Sequence, residues 1–326
     1  MTNRYPQFDR SRLCLLPLEG RRHDLSLSSA LPLRKASAVN QEFTRVAYEI
    51  IEANKHKSSV VLMMGAHVLR SGVQYFLIDM MERGYLNCLS VNGAFAIHDF
   101  EFALIGATTE SVASYIKEGH FGLWQETGHI NEIVTWAWQQ KMGLGEAVGH
   151  AIEEEKLPYR EISVLANAHR LGIPVTVHVS IGCDITHEHP NFDGAAYGGT
   201  SYIDFLRLAS ALESLEGGVV MNFGSAVMAP EVYLKALSMA RNVARQKGRK
   251  ISNITTLVCD LLELPPNYQK EPSKEDPAYY YRPWKTMLVR TVADGGKSFY
   301  FKGRHIETVP QLWTALLNST ERDVLK

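Results

Sequence analysis

Four short apolar runs, each closing on a small residue and each alternating with a helical pattern, constrain this chain most. They are SSVVLMMGAH (58–67), LNCLSVNG (86–93), IPVTVHVS (173–180) and GGVVMNFG (217–224). Runs that are apolar at consecutive positions belong to strands covered on both faces. A fifth, NITTLVCD (253–260), follows the same rule. Helical spacing fills the intervals: Glu42 to Ala53, Ser71 to Arg83 (opened by Ser71 and closed by Gly84), His98 to Leu104, Arg160 to Leu171, Ser201 to Leu215 and Pro230 to Gln246. Strands alternating with amphipathic helices predict an α/β fold, a single large Rossmann-like open and mainly parallel sheet with helices on both faces.

At 326 residues the chain is long enough for one such domain, set here at 39–319. Residues 1–38 mix Pro, Ser and Arg without period and read as an irregular arm, and 320–326 as a tail. No apolar run reaches the roughly 18–20 residues that span a bilayer, and MTNRYPQFDRSR does not resemble a secretion signal, so a cytoplasmic protein without a membrane partner is expected. Formal net charge is −1, and the basic run Arg241 to Lys250 reads as a solvated helix end, which gives no reason to expect a nucleic-acid partner. Cys14, Cys88, Cys183 and Cys259 lie far apart and read as buried thiols.

In sheets of this type ligands sit at the carboxyl ends of the strands. The rule selects the loops at 65–72, 91–99, 180–189 and 222–231, whose small residues let backbone approach a ligand and leave amides free for phosphate oxygens. A dinucleotide suits them, although no contiguous G-x-G-x-x-G is present. Within VHVSIGCDITHEHPNFDG (177–194), His178, Asp184, His187, Glu188 and His189 could ligate zinc or iron, form a hydrogen-bonded loop beside an active site, or lie on the surface. Lys285, in YYYRPWKTM, reads either as an amine nucleophile dried by its aromatic neighbours or as an edge-strand lysine with its stem on Trp284. Asp294-Gly295-Gly296-Lys297 reads as a hairpin turn, and Phe121, Trp124, Trp136 and Trp138 as a helical core or subunit-interface segment.

Taken in order over about residues 40–317, these motifs resemble the deoxyhypusine synthase family. GAHVLRSGVQYFLIDMMERGYLNCLSVNGAFAIHDFEFAL keeps Ser71, Gly72 and Gly93 of that pattern; FGLWQETGHINEIV keeps Gly128 and Asn131. LANAHRLGIPVTVHVSIGCDITHEH keeps Ser180, Gly182 and Asp184, and GGVVMNFGSAVMAPEVYLKALSMARN resembles the family's glycine-rich loop and helix. PWKTM resembles the segment that carries the family's imine-forming lysine.

The resemblance implies an NAD-dependent aminoalkyl transferase, a homotetramer with active sites between subunits. A polyamine such as spermidine would donate an alkylamine through an imine on Lys285 to a protein lysine or a free polyamine. Trp284 would wall the amine substrate, with Asp184 and His178 beside it. Ser71, Gly72, Asn92 and Gly93 would contact NAD, as would Ser180, Gly182, Asp184, Gly224 and Ser225. Four positions depart from the pattern. Ala229 and Pro230 stand where the family has a substrate-orienting histidine, Tyr279 to Tyr281 where it has an acid, His178 where it has Asp, and Arg304 where it has an acidic NAD contact. Two rivals therefore stand beside it: a metal-dependent hydrolase or lyase using His178, Asp184, His187 and His189, and a non-catalytic NAD-binding homologue.

Overall fold

The computed structural model describes residues 4–324, with side chains described through Glu321. In chain order its elements are β1 Leu25–Ser26, α1 Gln41–Lys55, β2 Val60–Met64, α2 Ala66–Arg70, α3 Gln74–Glu82, β3 Cys88–Asn92, α4 Gly93–Ile105, β4 Ala107–Thr108, α5 Val112–Tyr115 and α6 His129–Gln139. There follow α7 Leu144–Glu154, α8 Val164–Leu171, β5 Val175–His178, α9 Gly194–Ala211, β6 Val219–Phe223, α10 Met228–Gln246, β7 Thr255–Asp260, β8 Lys297–Lys302 and α11 His305–Val324.

Six strands form one sheet in the order β5-β3-β2-β6-β7-β8, and every neighbouring pair is parallel. The chain walks outward from β2 through β3 to β5, then returns to the other side of β2 and walks outward again. Numbered by first appearance this is the 3-2-1-4-5-6 order of dinucleotide-binding sheets, with its reversal between β2 and β6. Alternate residues of β2 serve opposite layers. Val60, Leu62 and Met64 join the core under α1, α3, α4 and α11, whereas Val61 and Met63 join the core under α9 and α10.

The α/β architecture expected from the alternating runs is present, and local boundaries differ for identifiable reasons. Ser71 ends α2 instead of opening a helix, because Gly72 turns at φ +77° and α3 starts only at Gln74. The expected loop at 91–99 is mostly helix: the Asn92 side chain accepts from the Phe95 amide, so α4 starts directly off β3. α9 starts at Gly194, capped by Asp193, rather than at Ser201. Asp294 to Lys297 is no hairpin, since Lys297 opens β8 parallel to β7. Lys285 lies in a π-helical turn, Trp284–Val289, not in an edge strand. Cys14 and Cys183 are exposed; Cys88 and Cys259 are buried.

The arm is tied to the domain by a buried fork. Arg21 Nη1 and Nη2 each stand 2.8 Å from a carboxylate oxygen of Glu101 in α4, with both side chains 1% exposed. The Gly72 carbonyl accepts from the Leu31 amide at 2.7 Å, and a side chain at Gly72 would run into Ser29. α11 continues through Val324, past the expected boundary of the tail, whose residues 325 and 326 lie outside the described residues. Among the described residues no helix is long and apolar enough to cross a membrane.

Asp204 in α9 fixes the β5 edge: its Oδ2 accepts from the Val177 and Gly145 amides at 2.9 Å each. Burial pushes its carboxyl from 3.8 up to about 7. A folded-state pKa raised above the unfolded one means that the folded chain holds the proton longer. Stability from this group is therefore greatest below about pH 4 and declines as pH rises towards 7. Urea unfolding followed by circular dichroism from pH 5 to 8 should show stability falling by on the order of 1–3 kcal/mol, and Asp204→Asn, which keeps the acceptor, should flatten that fall.

Candidate functional site at the carboxyl edge of the sheet

Where the strand order reverses, the chain leaves β2 and β6 side by side with almost no space between the exits. The Gly65 amide donates to the Phe223 carbonyl at 3.1 Å, and a Cβ at Gly65 would stand 2.7 Å from the Gly224 carbonyl oxygen. Gly224 itself turns at φ +67° against the His305 ring. Beyond it the Asn222 side chain holds the loop by pairing with the Ser225 amide and carbonyl, and Ser225 Oγ accepts from the Ala229 amide at 3.0 Å. Of the helices that start here, α2 after Gly65 has no side-chain cap, and α10 after Val227 is capped from Ser225 and not from Val227. At α2 the Ala66 and His67 amides face outward for an anion, whereas at α10 only the Met228 amide does, because Ala229 donates to Ser225 Oγ and Pro230 has no N–H. His67 and His305 flank the crevice, both held below the ordinary histidine pKa by burial.

The start of α4 is different because it is already occupied. Gly93 leaves room for the Asp184 carboxylate, which takes the Ala94 amide and is pushed by burial up to about 6. His187 stands behind it. Its Nδ1 accepts from the Gly182 and Asp184 amides at 3.0 and 3.2 Å, which leaves the proton on Nε2, buried without a hydrogen-bond partner and 3.7 Å from Asp184 Oδ2. His178 Nε2 pairs with the Thr176 hydroxyl at 3.0 Å, and burial pushes the ring down to about 4. His189 Nε2 pairs with the Gly122 carbonyl at 2.8 Å. The three rings thus face different partners, and among the described residues no three His, Cys, Asp or Glu side chains converge on a metal position. The metal reading of 177–194 has no geometry behind it.

A cavity of about 220 Å³ runs from this point along α4. Ala94, Ile97, His98 and Glu101 of α4 form its floor, Asp184 and Ile185 one wall, and Arg70, Thr109 and Phe121 the others. It meets the crevice at two places: Arg70 Nη1 reaches His67 in α2 at 3.5 Å, and Asp184 leans on Gly93.

The residues named from sequence divide into groups. Asn92, His178 and Ser225 line one small recess at the ends of β3, β5 and the β6 exit, and Gly224 stands at the reversal. Ser180 and Gly182 lie on the exposed stretch before Asp184. Ser71 and Gly72 sit at the far end of α2, the one bonded to the His67 carbonyl and the other packed on the arm. Lys285 and Trp284 belong to the other half of the sheet, since their π-helical turn packs against β7, β8 and α10. There Lys285 Nζ lies 3.9 Å from the Tyr279 ring centroid and the Trp284 indole donates to the Tyr268 carbonyl at 2.7 Å. The structure does not join Lys285 to Asp184. Gly65, His67 and Arg70 fall inside the expected loop 65–72 without being singled out there, and Thr109 and His305 fall outside every expected loop. Gly65 and His67 follow an evident strand, but nothing local marks the others.

Comparisons with known proteins fit this geometry. A family model described as arginine dihydrolase ArgZ-like, C-terminal, Rossmann fold, matches residues 44–160. Among solved structures, the arginine dihydrolase ArgZ of the ornithine–ammonia cycle in cyanobacteria aligns at 15% identity and TM-score 0.50, over 85% of this chain and 31% of that one. AgrE in complex with ornithine and NAD+ aligns at 17% and 0.50 over 86% and 33%, and unliganded AgrE at 16% and 0.52 over 85% and 33%. This chain therefore spans about a third of the length of those proteins. No curated protein matches it. These likenesses carry the Rossmann fold. They also overturn the deoxyhypusine synthase resemblance, because the family model that matches is the arginine dihydrolase ArgZ-like one and the similar structures are ArgZ and AgrE. With it fall the aminoalkyl transfer, the polyamine donor, the Lys285 imine and the protein acceptor.

Gly65→Ala should destabilise the chain by about 1–3 kcal/mol, the cost of overpacking a close backbone approach. Gly198→Ala, in α9 with open space around it, should be neutral or slightly stabilising. Thermal unfolding of the two variants side by side checks the contact.

Proposed function

We propose that this chain binds NAD in the crevice between β2 and β6 and works as an enzyme on a small amine-bearing molecule. The observation that carries the reading is the reversal of strand order at that crevice, flanked by the starts of α2 and α10. A dinucleotide needs close backbone approach and amides aimed at its pyrophosphate. The start of α4 is filled by Asp184, which leaves α2, with the Met228 amide of α10 beside it, for that role. Residues 65–67 and 225–228 would hold the phosphates, and His67 and His305 would stand at the crevice wall. Asn92, at the end of β3, occupies the position from which an acidic residue commonly contacts the adenosine ribose. It offers a neutral amide there.

When bound, the dinucleotide supplies a hydride acceptor. The chain contributes orientation and a dry surround. Exposed Ile181, Val227, Leu261 and Leu262, on the loops after β5, β6 and β7, give the rim apolar contacts for flat rings. The substrate class comes from the relatives: ArgZ is an arginine dihydrolase, and AgrE was crystallised with ornithine and NAD+. Arginine and ornithine both carry amines. The cavity beside the crevice has one carboxylate, Asp184, available to a cation.

Titration of the protein with NADH, followed by cofactor fluorescence, tests the reading. Saturable binding is expected. Val227 is 65% exposed and precedes α10, so Val227→Asp adds a carboxylate that favours the helix start while repelling a pyrophosphate. Its melting temperature should hold or rise while NADH affinity falls at least tenfold. Unchanged affinity would remove α10 from the site.

A further inference from the structure

The cavity along α4 is lined by polar groups in two conditions, satisfied and unsatisfied. Glu101 accepts from both Arg21 Nη atoms, from Thr108 and from Thr127. His98 pairs with the Thr108 hydroxyl at 2.8 Å. Glu110 accepts from the Gly122 amide and the Trp124 indole at 2.9 and 2.8 Å. Glu101 is thus fully engaged, Glu110 is bonded at both oxygens, and His98 donates from Nδ1 and keeps only Nε2 as an acceptor. Three others have more bonding capacity left.

Asp184 takes the Ala94 amide and caps the turn Ile185–Glu188 through the His187 amide, and otherwise faces the cavity with the buried His187 Nε2–H at 3.7 Å. Arg70 is exposed, touches only His67, and has no carboxylate partner among the described residues. Thr109 lines the cavity, is 8% exposed, and its buried hydroxyl has no hydrogen-bond partner. Its backbone is also strained: φ is +62° at a β-branched residue, where the left-handed region is steeply disfavoured. Strain of this kind persists only where the surroundings enforce it, and it gathers at ligand sites.

We propose that this cavity seats a small zwitterion, an amino acid whose ammonium group meets Asp184 and whose carboxylate meets Arg70. Its hydrocarbon part lies on Ile97, Val112, Phe121 and Ile185, and the Thr109 hydroxyl supplies one further hydrogen bond. The volume, about 220 Å³, lies below the roughly 300–1,000 Å³ of pockets for larger ligands, which limits the occupant to a short chain. Neither half alone satisfies both charged groups. A simple amine leaves Arg70 unmet, and a simple carboxylate is repelled by Asp184. The cavity's contact with α2 through Arg70 and with the end of β3 through Asp184 sets the occupant beside the crevice, so the inference rests on the NAD reading and specifies its substrate.

Isothermal titration of the whole chain with norvaline, 5-aminopentanoate, pentylamine and pentanoate tests it, with NADH titration run in parallel on each variant. At least one of the two zwitterions should bind tenfold or more tightly than pentylamine and pentanoate. Arg70→Gln, a change at an exposed side chain, should remove that advantage over pentylamine, and Asp184→Asn the advantage over pentanoate. Thr109→Val should weaken zwitterion binding severalfold. Melting temperature should stay unchanged in Arg70→Gln. Equal binding of zwitterion and pentylamine, zwitterion binding indifferent to Arg70→Gln, or no binding of either zwitterion at millimolar concentration would overturn the proposal while NADH still binds. Loss of NADH binding by the parent chain would instead overturn the dinucleotide reading.

Discussion

The close backbone approach of Gly65 to Gly224 is the constraint on which the carboxyl edge depends. Two parallel strands that exit in opposite directions must part within a residue or two. Here they do so with the Gly65 amide still bonded to the Phe223 carbonyl. A side chain at Gly65 would force the exits apart, and one at Gly224 would displace His305 at the start of α11. The starts of α2 and α10 are thereby fixed beside one crevice, while the helices packed on either face supply the rigidity that loops alone lack.

Much of this was legible in the sequence, for a simple reason. A strand buried on both faces must be apolar at consecutive positions, and five of the six parallel strands declare themselves that way. β8 does not. At the sheet edge, KSFYFK buries no residue fully and pairs on one side only, so its pattern looks like a hairpin arm after Asp294-Gly295-Gly296. The helix starts were misplaced where the cap came from an unlooked-for residue, Asn92 for α4 and Asp193 for α9. A short polar side chain at the end of a strand gives no local sign of whether it caps a helix or faces a ligand.

The site was less legible than the fold, and Lys285 shows why. A lysine beside Trp284 and three tyrosines suggests a dried amine, and the burial is real: Lys285 is 5% exposed with its charge over the Tyr279 ring. Which half of the sheet that charge serves depends on strand order, which no local motif encodes. The order of motifs that resembled deoxyhypusine synthase is largely the order of strand exits in a parallel sheet, so similar glycine-rich loops recur wherever this architecture recurs. The histidines of 177–194 misled in the same way. Their spacing suits a metal, yet each ring is committed to a backbone or hydroxyl partner of its own.

Three acids around α4 bring out the difference between a structural charge and an available one. Burial opposes ionisation of Glu101, but the Arg21 guanidinium and two hydroxyls outweigh it and hold the pKa below the ordinary value. Asp99 is pushed up to about 6 by burial, and it is answered by the Ser163 hydroxyl and the Val164 and Leu165 amides at the start of α8. Asp184 is pushed to about the same value with backbone amides alone against it, those of Ala94 and His187, and no hydroxyl or cation among the described residues. A buried carboxylate with so little compensation costs folding energy unless something else completes its shell. Glu101 and Asp99 hold the arm and α8 in place. Asp184, at the mouth of the cavity and the end of β3, is the one whose remaining valence faces open space, and a cation arriving there supplies what the fold leaves out.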